Sequence, residues 1–106
     1  MRNLIIRRNK SLAGCLGKVR VYIEDAENGE LNIRGSLCRK LGELKNGEEK
    51  SFTISDAAVG VYVIADAITR DFCGDMKRIP AGEADVHLSG KNRFDPQNGN
   101  PFAFDR

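Results

Sequence analysis

This 106-residue chain has no tryptophan, one histidine, three prolines and three cysteines, Cys15, Cys38 and Cys73. Each shortage removes a class of function. Three widely spaced cysteines without a Cys-x-x-Cys pair support neither a disulfide framework nor a zinc knuckle. A single histidine, His87, leaves little for a metal centre or for acid–base catalysis, which both draw on imidazole. No run of about 20 apolar residues exists to cross a bilayer as a helix. The opening apolar stretch, Leu4-Ile5-Ile6, stops at Arg7 and Arg8 and is too short for a signal peptide. The expectation is a reduced, cytoplasmic protein with no membrane partner and no cofactor; a signal peptide removed beforehand would change that assignment.

Charge of one sign is also scarce, with a net +2. Some basicity gathers at Arg2, Arg7, Arg8 and Lys10. A polyanion site interleaves such cations with stacking aromatics, and no aromatic precedes Tyr22. Solvated strand edges are the plainer reading of these four cations. Nucleic acid is not an expected partner.

What the chain does contain is strand periodicity. Hydrophobic residues are 41% and charged residues 30%, the composition of one globular domain over residues 1–106. In Lys18 to Glu24, Val19, Val21 and Ile23 share one face, while Lys18, Arg20, Tyr22 and Glu24 take the other. Alternation with period two defines a half-buried strand. Leu31 to Leu37 alternates again after Asn28-Gly29, a pair suited to a hairpin turn. Residues 18–37 therefore read as a hairpin. Asn46-Gly47, between Lys40 to Leu44 and Lys50 to Ile54, reads as a second.

Val59 to Ile68 is apolar on both faces, as in a strand covered on both sides, and its β-branched density and Gly60 oppose a helix. Leu4 to Arg8, Asp71 to Ile79 and Glu83 to Leu88 complete the strand candidates. In the last, Ala84, Val86 and Leu88 point in and His87 points out. Residues 91–106 form a turn-rich tail whose Phe102 and Phe104 are spaced to dock a final edge strand. Seven or eight short strands with regular turn signals and no convincing helix predict an all-β antiparallel sandwich, Ig-like, transthyretin-like or jelly-roll-like.

The run Gly42-Glu43-Leu44-Lys45-Asn46-Gly47-Glu48, following a Val-x-Val-Tyr-Ile strand, resembles a Gly-x-Leu-x-Asn-Gly-Glu hairpin of small bacterial β-sandwich proteins of PEGA or transthyretin-like type. Arg7 to Cys15 and Gly99 to Phe104 are similar to the ends of such chains. A long insert, Asp25 to Arg39, departs from the pattern. The resemblance implies a sandwich fold and carries no catalytic residue to transfer.

Candidate chemistry is sparse. Cys73 with His87 and Asp85 or Asp75 is the one imaginable cysteine–histidine set, but His87 sits on the polar face of its strand. Asp66, Asp71 and Asp75 lack the spacing of a calcium loop. Gly14 and Gly17 fall short of a phosphate loop. A carbohydrate platform would rest on Tyr22 and Tyr62 alone. No catalytic, metal or cofactor residue is therefore expected. The leading expectation is a non-catalytic structural or interaction module. Its interaction edge would be the first strand, Leu4, Ile5, Ile6, Arg7 and Arg8, pairing with a protein partner or with its own copy as a dimer. A ligand face around Arg20, Tyr22 and Arg34 is the second reading, and an enzyme using Cys73 and His87 the third.

Overall fold

The computed structural model describes residues 1–13, 17–65 and 74–105. These form nine strands in two packed sheets and a short 3-10 turn at Pro96–Asn98. The strands are β1 Arg2–Arg8, β2 Val19–Glu24, β3 Leu31–Ile33, β4 Ser36–Leu44, β5 Glu49–Ile54, β6 Val59–Ala65, β7 Gly74–Ile79, β8 Val86–Asn92 and β9 Phe102–Phe104. One sheet has the order β5-β1-β8-β9 and the other β3-β4-β2-β6-β7. The all-β sandwich expected from periodicity is the architecture observed.

Burial follows the alternation. Val19, Val21 and Ile23 of β2 meet Val61, Val63 and Ala65 of β6, with Leu4 and Ile6 of β1 and Ile54 of β5 opposite them. Phe102 and Phe104 are buried in this core, their rings edge-to-face at 5.2 Å, so the tail docks as a last edge strand. β6 is covered on both faces, as its two apolar faces implied. Residues 66–68 and 71–73 of the two longer strand readings lie outside the described residues.

Three readings need correction. β1 is not an edge: it pairs antiparallel with β5 and parallel with β8. The parallel pair arises because β8 enters from the other sheet rather than from a hairpin, so the ladder is mixed. Asn28-Gly29 does not close a hairpin between β2 and β3, because β2 pairs with β4. The tight turn is Arg34-Gly35, where φ is 50° and 89°, joining β3 to β4. Positive φ at both central residues is the demand of a type I′ turn, and Asn32 Oδ1 accepts from the Gly35 N–H at 2.9 Å. At Asn46-Gly47 only Gly47 is left-handed, so the turn lacks the primed geometry, and the chain passes from one sheet to the other.

β1 also carries a charge inward. Its even residues Arg2, Leu4, Ile6 and Arg8 all face the interior. Arg8 is 0% exposed. Its Nε donates to Asn92 Oδ1 at 2.9 Å, and its Nη1 to Gly17 O and Leu44 O, both at 2.8 Å. At the other end, Arg2 donates to the carbonyls of Ser55, Ala57 and Pro80. The two guanidiniums plug the open ends of the sandwich. The basic cluster read from sequence is thereby halved, with only Arg7 and Lys10 at the surface.

Arg8→Ala is expected to cost about 3 kcal/mol or more, because a buried cation is lost and the buried acceptors Asn92 Oδ1 and Leu44 O are left without their donor. Arg8→Lys should recover only part of that, since one ammonium cannot fork to three splayed oxygens. Arg7→Ala, one residue away and exposed, should cost under about 0.5 kcal/mol. Urea unfolding midpoints of the three variants check the contrast.

Candidate functional site

The outer face of the five-stranded sheet holds the second ligand reading. Arg20, Tyr22 and Glu24 of β2 point there, beside Cys38, Tyr62 and Ile64. Tyr22 is 6% exposed and Tyr62 4%, so neither offers a ring for a sugar to stack on. The outward Tyr22 expected from alternation is buried because Ile33, Cys38, Tyr62 and Ile64 build a small apolar cluster around it. Arg34 stands apart, in the β3–β4 turn. The structure does not bring Arg20, Tyr22 and Arg34 to one exposed surface.

Glu24 organises this face. Its Oε1 accepts from the Gly60 N–H at 2.7 Å and from Arg78 Nη1 at 3.0 Å. Its Oε2 accepts from Arg78 Nη2 at 3.1 Å and Ser36 Oγ at 3.0 Å. Partial burial pushes this carboxyl up, but the hydrogen bonds of Arg78, Gly60 and Ser36 and the charge of Arg78 outweigh it, leaving it below its ordinary value. A side chain at Gly60 would put its Cβ 2.9 Å from the Glu24 carboxyl carbon, so the carboxylate lies where the glycine leaves room. The arrangement is a brace across β2, β4, β6 and β7.

Cys38 is 0% exposed, and its thiol is pushed up by burial and by the nearby charge of Glu24. That is the wrong direction for a nucleophile, which works as thiolate. Cys15, Cys73, Asp66 and Asp71 lie outside the described residues, so the cysteine–histidine and calcium readings include residues about which the structure says nothing. His87 is exposed on β8, as alternation placed it. Among the described residues no group of three or more His, Cys, Asp or Glu side chains is placed to hold a metal ion.

The main-chain geometry gives a different site. With β1 interior, the free edge of its sheet on that side is β5. Arg8 N donates to Glu48 O, and hydrogen-bonding direction alternates along an antiparallel ladder. Lys50, Phe52 and Ile54 therefore turn their main-chain groups toward β1. Glu49, Ser51 and Thr53 turn theirs outward, and all three are exposed. Phe52 is half-buried against the core with Leu41, and its ring occupies the space over Gly42. Leu41 is the residue skipped where the β2–β4 register shifts. The edge is thus a row of open N–H and C=O groups with an apolar seam along one side.

The other edges differ from it. β7 and β9 approach each other, and Asp75 Oδ2 accepts from the Phe104 N–H at 3.0 Å, joining the two sheets. β3 has three residues and covers only Ser36, Leu37 and Cys38 of β4, so that among the described residues the outer side of Arg39 to Leu44 has no strand partner. The alternation of Lys50 to Ile54 marks a strand, but nothing in the residue types marks which neighbour it takes, and β5 pairs with β1 rather than with β4. Comparison with protein-family models, curated proteins and solved structures returns no match.

The Glu24 brace has a pH signature. A carboxyl held below its ordinary value stabilises the fold above that value, and the contribution is lost as pH falls through the folded one. Glu24→Gln should cost about 1–2 kcal/mol at neutral pH. It should also flatten the decline in stability between about pH 6 and about pH 3 relative to the parent. Denaturant melts across that range measure both.

Proposed function

We propose that the protein is a non-catalytic interaction module that takes an extended segment of a partner protein as an added strand on β5. The observation that carries this is the outward main chain of Glu49, Ser51 and Thr53 on a six-residue edge strand free of proline. Strand addition draws affinity from such main-chain groups and specificity from alternate side chains. An added strand would lay every second residue along the Phe52–Leu41 seam, where aliphatic or aromatic side chains fit. Its intervening residues would lie beside Glu49, Ser51 and Thr53, where polar or basic groups fit. Lys50 and Glu49 make the edge less open to indiscriminate pairing. The resemblance to PEGA-type and transthyretin-like sandwiches is compatible with this role and supplies no competing chemistry.

Ser51→Pro tests it with little collateral damage. The Ser51 N–H faces away from β1, so proline there removes an edge donor and blocks addition without breaking the ladder. Selection from a displayed random-peptide library should yield binders with apolar residues at alternate positions. Ser51→Pro should weaken them at least tenfold, while stability falls by under about 1 kcal/mol. A library that yields no such binders, or binders indifferent to Ser51→Pro, would overturn the reading.

A further inference from the structure

The two ends of the sandwich carry complementary surfaces. At the Arg8 end, Leu12 is 95% exposed and Phe94 82%. They flank a shallow cleft of about 730 Å³ lined also by Lys10, Lys91 and Arg93, with no carboxylate in its walls. The loops that hold these side chains are pinned. Ser11 Oγ donates to Asn92 O at 2.9 Å, Ser11 N donates to Asn46 Oδ1 at 3.0 Å, and Arg93 N donates to Pro101 O at 2.9 Å. Asn92 in turn accepts from Arg8. Two large apolar side chains are therefore held in water on a fixed frame, at a desolvation cost that a partner would remove.

At the Arg2 end lies a groove of about 430 Å³ whose apolar lining comes from Ile79, Pro80, Ala84 and Val86. Glu83 and Asp85 line it too, and both are exposed. Asp85 Oδ1 accepts from the Asn3 N–H at 2.8 Å. Among the described residues neither carboxylate forms an ion pair, and neither do Lys10, Lys91 and Arg93 at the far end. Arg2, the cation in the groove wall, is 4% exposed and already donates to three carbonyls. β1 and β8 run parallel from one site to the other, about 20 Å over six residue steps. A basic apolar projection and an acidic apolar groove thus sit at opposite ends of a molecule 37 Å long.

We infer that copies of this chain associate head to tail, Leu12 and Phe94 of one entering the Ile79–Val86 groove of the next, with Lys10, Lys91 and Arg93 facing Glu83 and Asp85. Such a contact is heterologous: it joins different surfaces and leaves one of each free on every dimer, so it propagates. It is independent of the β5 edge, where pairing of two copies would be two-fold symmetric and would stop at a dimer. An anionic membrane or an acidic peptide could meet the same cations, but neither would account for an acidic groove at the other end.

Mixing two variants tests the geometry. Phe94→Ser with Lys91→Glu removes the head; Glu83→Lys with Ala84→Arg removes the tail, and all four positions are exposed. The parent chain should grow in mass with concentration beyond a dimer in sedimentation velocity. Its association should weaken at least about tenfold between about 50 mM and about 500 mM salt. Each variant alone should be monomeric, and an equimolar mixture should form a dimer and nothing larger. Ser51→Pro should leave this series unchanged, which separates it from the β5 reading. A parent monomeric at millimolar concentration, variants that associate as the parent does, or a mixture that stays monomeric would each overturn the proposal. So would a parent that binds anionic vesicles through its head without forming chains.

Discussion

A guanidinium sealed inside a sandwich must find its acceptors in the carbonyls and side chains packed around it, and the positions of those acceptors then become fixed by it. Arg8 is in this position. Its acceptors come from β4, from the residue that precedes β2 by two, and from β8, so one side chain ties both sheets together at one end. Taking a unit charge out of water is costly unless every donor is met, which makes the local geometry intolerant of slippage. Arg2 acts likewise at the other end, on loops rather than strands. Between them Leu4 and Ile6 contribute ordinary apolar burial. A one-residue shift of β1 would expose both leucine and isoleucine and bury Asn3, Ile5 and Arg7 instead, so the arginines and the core specify the same register.

Much of the fold was legible in local alternation. β2, β6 and β9 stand where period-two patterns put them, because a side chain on a pleated strand has only two directions available, whereas β8 begins three residues later than Glu83, runs on to Asn92 and leaves Ala84 exposed. Pairing was less legible. The sequence shows Asn-Gly three times, and at Asn28-Gly29 and Asn46-Gly47 it does not close the hairpin it suggests. Asn28-Gly29 lies in a connection organised by Asp25, whose Oδ1 accepts from Glu27 N and Asn28 N. Asn46-Gly47 crosses between sheets. Among the described residues the tight hairpin uses Arg34 at φ 50°, a residue type that carries no turn signal. Tertiary pairing sets the cost of a left-handed residue against the gain of a strand, and that balance does not show in a dipeptide.

The interaction site suffered from the same gap. Leu4 to Arg8 had the composition of an edge, short, apolar and flanked by cations, yet its cations point alternately in and out. Arg2 and Arg8 belong to the interior and Arg7 to the solvent. Period two cannot distinguish a polar residue facing water from one facing buried carbonyls, and the whole misreading of β1 follows from that ambiguity. Tyr22 shows the converse. It lies on the polar face of β2, but that face is partly apolar in three dimensions because Cys38, Ile33, Tyr62 and Ile64 arrive from other strands.

Placing β1 inside its sheet has a consequence for function. The exposed main chain moves one strand outward, to β5, whose inner neighbours are already committed to β1. Meanwhile the sheets close on their other side, where Asp75 takes the N–H of Phe104. A sandwich joined along one seam and open along the other presents the β5 edge for addition. The two arginines sharpen the contrast between the ends as well. Each meets main-chain dipoles from within and adds no cation to the surface, where Lys10, Lys91 and Arg93 cluster at one end and Glu83 and Asp85 at the other. A net charge of +2 conceals this axis, because the sum over the chain cancels what the fold separates.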